Sequence, residues 1–322
     1  MRQPGFSTLL IVIAGVMAAL QPAHAFPERP VRVVVPFPPG GGADVTIRIM
    51  SDALRAQLGQ PIVVENRAGA STIIGTDLVA KARPDGHTLL IVTSTFAINP
   101  SLHATLPYDP LKDLAPITLV ALTPYIVVVH PSLPVKNIKD LIALAKSKPG
   151  ELNYASVGNG SSTHLATEMF ASRAGVKMVH VPYKGSAPAV TDLIGGHVTT
   201  YFGSMPGSLP QARAGKLRAL AVTGASRAAA APDVPTVAES GLPGYEFTAW
   251  YGLFAPSGTA PGIIDQLHNA VTKVLDRGDV RERFSAEGNQ PSGETPQQFA
   301  ATVKADIAKY AKIVKDAQIR PD

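Results

Sequence analysis

The 322 residues contain no cysteine, which excludes disulfides, thiolate metal sites and a cysteine nucleophile together. Beyond the first 25 residues, no apolar stretch reaches the roughly 20 residues that a membrane span needs. The eight histidines are scattered, with no H-x-x-x-H pair and no nearby carboxylate in a metal-ligating spacing. No G-x-S-x-G elbow surrounds a serine, and Ser161 and His164, one helical turn apart, lack the orienting third group of a triad. No internal repeat or low-complexity segment occurs. Charge of one sign is not concentrated either: with Arg2 set aside as part of the leader described below, 28 basic residues face 24 acidic ones along the chain. That balance describes a solvated surface that mildly favours anionic ligands, not a nucleic-acid footprint. These absences point to a non-enzyme that holds a ligand, and they call for no metal or cofactor.

What is present begins with an address. Arg2 supplies a short positive region, Leu9 to Leu20 an apolar core, and Ala23-His24-Ala25 a small-x-small cleavage site. Residues 1–25 therefore read as a secretory signal peptide, with the mature chain starting at Phe26 outside the cytoplasmic membrane. An uncleaved anchor is the competing reading, but the apolar run is short for a span and the cleavage site would have no purpose. The remaining length and the 45% hydrophobic composition suit a large core and two domains.

The most informative stretch is Val31 to Asp44. A β-branched run (Val31, Val33, Val34, Val35) is stopped by Pro36, Pro38 and Pro39, turned by Gly40, Gly41 and Gly42, and followed by the helical spacing Val45, Ile49, Leu54, Leu58. Strand, glycine loop and helix N-terminus in this order converge backbone N–H groups where the helix dipole is positive, a natural seat for an anion. A plain turn capped by Asp44 is the alternative. Ala43-Asp44 stand where a P-loop needs Lys-Ser/Thr, and the contiguous glycines do not match the dinucleotide spacing. A small carboxylate or phosphate remains.

Further along, Pro61 to Glu65 reads as a strand, Ile73 to Ala82 as a helix and Thr88 to Thr93 as a third strand. This βαβαβ order predicts an α/β fold with a parallel sheet, its ligand crevice beyond the strand ends at Phe37–Asp44, Asn66–Thr72 and Ser94-Thr95. Ile117 to Leu122 and Tyr125 to His130 read as two strands broken by Thr123-Pro124. A second α/β series then opens with Gly158 to His164, again a glycine-punctuated loop meeting a helix start (Leu165, Met169, Phe170), here furnished with hydroxyls. Strands ending at Pro182-Tyr183 and at Gly203-Ser204 follow. Phe247 to Phe254 reads as the strand that returns to the first domain, and Pro296 to Lys315 as a one-sided amphipathic helix packed across it. Domain 1 is accordingly placed at residues 26–122 plus 252–322 and domain 2 at 123–251, with crossovers near Thr123-Pro124 and Thr248 to Tyr251. Trp250, the only tryptophan, falls at the second crossover.

Each candidate residue carries a plain reading beside the functional one. Asp44 is a helix cap, or a partner for a ligand amine or hydroxyl. Arg67 is a surface charge or a bidentate carboxylate clamp. His164 lies in a first helical turn, where the dipole disfavours a cation, so neutral packing or hydrogen bonding outranks catalysis.

The blocks Val33 to Asp44, Glu65 to Ala70, Gly158 to Leu165, His180 to Gly185, Leu220 to Thr223 and Asp233 to Gly241 together resemble the tripartite tricarboxylate transporter substrate-binding family, in order and over the whole mature chain. The resemblance implies a two-lobed Venus-flytrap periplasmic binding protein with a hinge between two α/β domains. It would act as a monomer, hand a small organic carboxylate to membrane permease subunits, and touch the membrane only through that protein. One ligand carboxylate would be held by the loops Phe37, Gly40, Gly41, Gly42, Ala43, Asp44 and Gly160, Ser161, Ser162, Thr163, His164. The remaining candidate contacts are Arg67, Ser71, Thr72, Ser94, Thr95, Tyr183, Gly203 and Ser204. Two departures concern the far end of the ligand: the family often has Gly-Gly where Ser71-Thr72 stand, and an acidic residue near Gly203. A ligand-presenting sensor for a membrane kinase is the alternative function, and a periplasmic enzyme acting on a small acid a more distant one.

Overall fold

The computed structural model describes residues 26–316 and 319; the signal-peptide segment 1–25 lies outside them. Strand β1 (Val31–Val35) pairs in parallel with β2 (Ile62–Asn66) and β3 (Thr88–Thr93). Period-two alternation divides their apolar side chains between two cores: Val31, Val33, Val35, Leu89 and Ile91 face one, and Val34, Leu90 and Val92 the other. Helix α1 (Gly42–Leu58) covers the first face with Ile47, Met50 and Leu54. Two further helices complete the first half: α2 (Ile73–Ala80) and α3 (Thr95–Leu102).

The 16-residue strand β4 (Leu114–Val129) is the axis of the molecule. It continues unbroken through Thr123-Pro124, so the expected pair of strands is one. Pro124 lacks only an N–H; its φ suits an extended strand, and it keeps its place opposite Thr248. The first part of β4 pairs with β9 (Thr248–Pro256) and the short β10 (Gln290–Pro291); residues 125–129 pair with β7 (Thr200–Ser204) and β8 (Arg218–Val222). Beyond β7 lie β5 (Asn153–Ser156) and β6 (Val179–Pro182), parallel to each other. The sheet is thus mixed, where the sequence predicted a parallel one. Chain that leaves one lobe along β4 and returns along β9 must run in opposite directions, and every pair made by β4 is antiparallel.

Helices α4 (Ile138–Ser147), α5 (Ser162–Ala174), α6 (Ser186–Ile194) and α7 (Met205–Arg213) clothe the second lobe. Helices α8 (Pro261–Leu275), α9 (Gly278–Ala286) and α10 (Pro296–Asp316) return to the first. Where the lobes meet, Thr223 joins both crossover strands: its hydroxyl accepts from the Tyr125 N–H at 2.7 Å and donates to the Phe247 carbonyl at 2.6 Å. Trp250 is buried edge-on against Phe299, and its indole N–H donates to Asp306 of α10 at 2.7 Å. Among the described residues, no helix is long and apolar enough to cross a membrane.

Candidate functional site

The glycine loop ends at α1, and no side chain caps that helix. Asp44 points back into its own loop. Its carboxylate accepts from the Gly40 N–H, from Arg48 Nε and from Asn66 Nδ2, each at 3.0 Å. Burial alone would raise this carboxyl, but those hydrogen bonds outweigh it and hold the group below its usual range. Asn66 also donates to the Phe37 carbonyl at 3.0 Å. The loop is therefore fixed by its own side chains, with the N–H groups at the start of α1 left over. Gly42 has to be glycine here: a Cβ would lie 1.9 Å from the Tyr251 hydroxyl and 3.3 Å from Ser204 Cβ.

Facing α1, the second loop opens α5. Ser161 caps it by accepting from the His164 N–H at 3.3 Å, and Thr163 Oγ1 accepts from the Val157 N–H at 3.0 Å. His164 Nδ1 accepts from the Gly160 N–H at 3.1 Å, which assigns the ring proton to Nε2. Burial, and the His180 ring stacked on it at 3.8 Å, push its pKa down to about 3. The imidazole is neutral and structural, as its place in a first helical turn predicts.

Between the loops lies a small inner cavity of about 30 Å3, lined by Phe37, Gly41, Gly42, Ala43 and Thr93 from the first lobe, and by Tyr125, Val157, Ser162, Thr163, Ser186, Ser204 and Tyr251. Among the described residues, no carboxylate, histidine, lysine or arginine lines it. Ser204 Oγ is buried without a hydrogen-bond partner. The Ser162 hydroxyl meets Tyr125 Oη at 2.5 Å and Thr95 Oγ1 at 3.3 Å. Burial raises the Tyr125 and Tyr251 hydroxyls, so both stay protonated donors. The arrangement offers an anion neutral N–H and O–H donors.

An outer cleft adjoins it through Phe37 and Val157 and widens to about 540 Å3, bounded by Pro38, the 68–72 turn, Gly158-Asn159 and Pro182 to Lys184. Here the lobes touch. A Cβ on Gly185 would lie 2.7 Å from Pro38 Cδ, and one on Gly160 2.3 Å from Leu102 Cδ1. Thr95 Oγ1 also accepts from the Ser162 N–H at 3.1 Å. The two lobes are closed on one another.

The residues singled out in the sequence separate into groups. Phe37, Gly41, Gly42, Ala43, Ser162, Thr163 and Ser204 line the inner cavity, and Ser71, Thr72 and Tyr183 the outer cleft. Gly40, Asp44, Gly160, Ser161 and His164 build the loops from behind. Gly203 packs on the Tyr201 ring and Ser208, and Ser94 is fully buried and lines neither space. Arg67 lines neither space; half exposed, it is paired with Glu65 at 2.5 Å. Sequence reasoning missed Thr93, Tyr125, Val157, Ser186 and Tyr251. Thr93 and Ser186 sit at or just past strand ends, where the crevice rule applies. The two tyrosines lie in apolar strands and give no local signal.

The family model described as "Tripartite tricarboxylate transporter family receptor" matches residues 46–319. The chain belongs to this family. Among its relatives, protein BugT of Bordetella pertussis is 41% identical over 310 residues, covering 96% of this chain and 95% of that protein. Two solved members extend the likeness to three dimensions. R. palustris Rpa4515 with adipate is 39% identical with a TM-score of 0.90, over 92% of this chain and all of that one. MatC (Rpa3494) of Rhodopseudomonas palustris with bound malate is 34% identical with a TM-score of 0.84, over 90% of this chain and 100% of that one. The protein is thus a solute-binding protein of a family of periplasmic receptors, with the two-lobed fold of that class.

Proposed function

We propose that this protein captures a small organic carboxylate between the N-termini of α1 and α5 and delivers it to a tripartite tricarboxylate-type membrane permease. The observation that carries the reading is the inner cavity. An uncapped helix start, two protonated tyrosine hydroxyls and the partnerless Ser204 Oγ converge on a space without any negative charge. A buried hydroxyl without a partner has a cost that a ligand acceptor removes. Four charge-assisted hydrogen bonds supply a gross ~6–12 kcal/mol, against the ~8 kcal/mol of micromolar binding before association costs. Both lips have to contribute, and that makes closure part of binding. Residues 26–122 with 252–322 then move as one body and 123–251 as the other, about the crossing of β4 and β9, and the closed form is what a permease would read.

Adipate and malate in the two solved relatives, and Lys184 as the one charged side chain lining the outer cleft, make dicarboxylates the first acids to try. A thermal-shift screen of mono-, di- and tricarboxylates and aromatic acids, followed by recovery of the bound compound, tests the reading. A stabilisation rising as RT ln(1 + [L]/Kd) with the acid returned unchanged is expected. No stabilisation by any carboxylate, or a chemically altered product, refutes it.

A further inference from the structure

The turn that lines the outer cleft is strained in an unusual way. Ala70, Ser71 and Thr72 have φ of +44°, +46° and +81°, following Gly69 at +142°. Left-handed backbone is disfavoured for residues with a Cβ, and most of all for a β-branched threonine. Outliers of this kind persist only where surrounding structure holds them, and they gather at functional sites. The holder is Asn99 of α3, fully buried, whose amide donates to the Ser71 carbonyl at 3.0 Å and to Thr72 Oγ1 at 3.3 Å. Glycine at 71 or 72 would remove the strain. What the side chain at 71 provides instead is a reach across the cleft: the Ser71 hydroxyl donates to the backbone carbonyl of Asn159 in the opposite lobe. The Asn159 loop comes close enough that a Cβ on Gly158 would lie 3.2 Å from Ser71 Oγ.

We infer that Ser71 is the latch of the closed state, a positioning residue that sets how long the lobes stay shut and hence how slowly ligand leaves. Both latch partners line the outer cleft, which adjoins the inner cavity through Phe37 and Val157, so parting them widens the space next to that cavity. The inference rests on the reading of the cleft as a carboxylate site. A latch acts on the protein and not on the ligand. Its removal changes every dissociation rate by one factor, whereas a direct contact would change it in a way that depends on ligand length.

The test compares wild type with Ser71→Ala and Ser71→Gly. Dissociation rates of succinate, glutarate and adipate are followed by stopped flow, the radius of gyration of ligand-free protein by small-angle scattering, and thermal stability by calorimetry. Loss of one hydrogen bond is expected to speed dissociation about fivefold for each acid in both variants, with a larger ligand-free radius. Ser71→Gly is expected to melt above Ser71→Ala because it relieves the backbone. An unchanged rate, or a factor confined to one chain length, overturns the latch. Should wild type hold none of the acids, the carboxylate reading fails and scattering alone decides the latch, equal radii in all three proteins overturning it.

Discussion

The two lips of the cleft solve one problem by different chemistry. The first-lobe lip is bare backbone: glycines present N–H groups while Asp44, Arg48 and Asn66 fix the loop from outside the cavity. The second-lobe lip is made of hydroxyls that already have partners: Ser161 meets Thr163, Thr163 accepts from the Val157 N–H, and Ser162 meets the hydroxyls of Thr95 and Tyr125. On the proposed reading, the first would be a preformed anion seat whose ordering cost is met at folding, and the second would exchange internal hydrogen bonds for ligand ones, so that its contribution is the difference between two similar terms. Geometry demanded by a strict glycine position should therefore matter more than any single hydroxyl.

The sharpest way to break this contrast is Gly42→Ala. The added methyl would overlap the Tyr251 hydroxyl, block the backbone approach and force a shift in the packed cleft floor. Carboxylate binding is expected to fall at least a hundredfold by calorimetric titration, with a stability loss of about 1–3 kcal/mol. Binding at wild-type affinity would mean the seat is elsewhere. Next in size is Asp44→Asn, which weakens the hydrogen bonds that hold the loop. A loss of about 1–3 kcal/mol in chemical denaturation at pH 7 is expected, with affinity falling as the loop loosens. Since the folded carboxyl lies below its ordinary value, its contribution is present above the unfolded pKa of roughly 4. It is lost as the pH falls through the lower folded one, so wild type and Asp44→Asn should converge in strong acid.

The smallest effect comes from the second lip. His164 is neutral in the folded chain down to about pH 3, while the unfolded imidazole takes up a proton below roughly pH 6.5. Between those values the unfolded state binds more protons, and stability falls as the pH falls, by at most about 1.4 kcal/mol per unit. Denaturation midpoints measured from pH 7 to pH 5 in wild type and His164→Gln should show that slope only in wild type. A slope shared by both proteins would assign it to another group.

Much of this was legible in the chain. The run Val31 to Asp44 names its own strand, turn and helix, because β-branching, proline and glycine are local signals. The second glycine loop, Gly158 to His164, repeats them. Less local features were not legible. Thr123-Pro124 looks like a break, yet β9 runs beside it and keeps the strand extended. The sequence reading places no helix at α3 or α7, both of which contain proline: Pro206 lies in the first turn of α7, where a missing N–H is harmless, and Pro100 and Pro210 are tolerated further inside their helices. Tyr125 and Tyr251 could not be assigned to the cleft, since only the pairing of distant strands decides what an aromatic in an apolar strand faces. Arg67 has the right chemistry for a clamp and the wrong neighbour, Glu65.

Because β4 serves as a ladder member in both halves, neither half is a separable cassette. A cut at Pro124 would fall between the residues that pair with β9 and β10 and those that pair with β7 and β8, and so would sever the strand whose continuity sets one ladder against the other. Loops such as Gly69 to Thr72 border the cleft and lie outside that strand, so they can change without disturbing it.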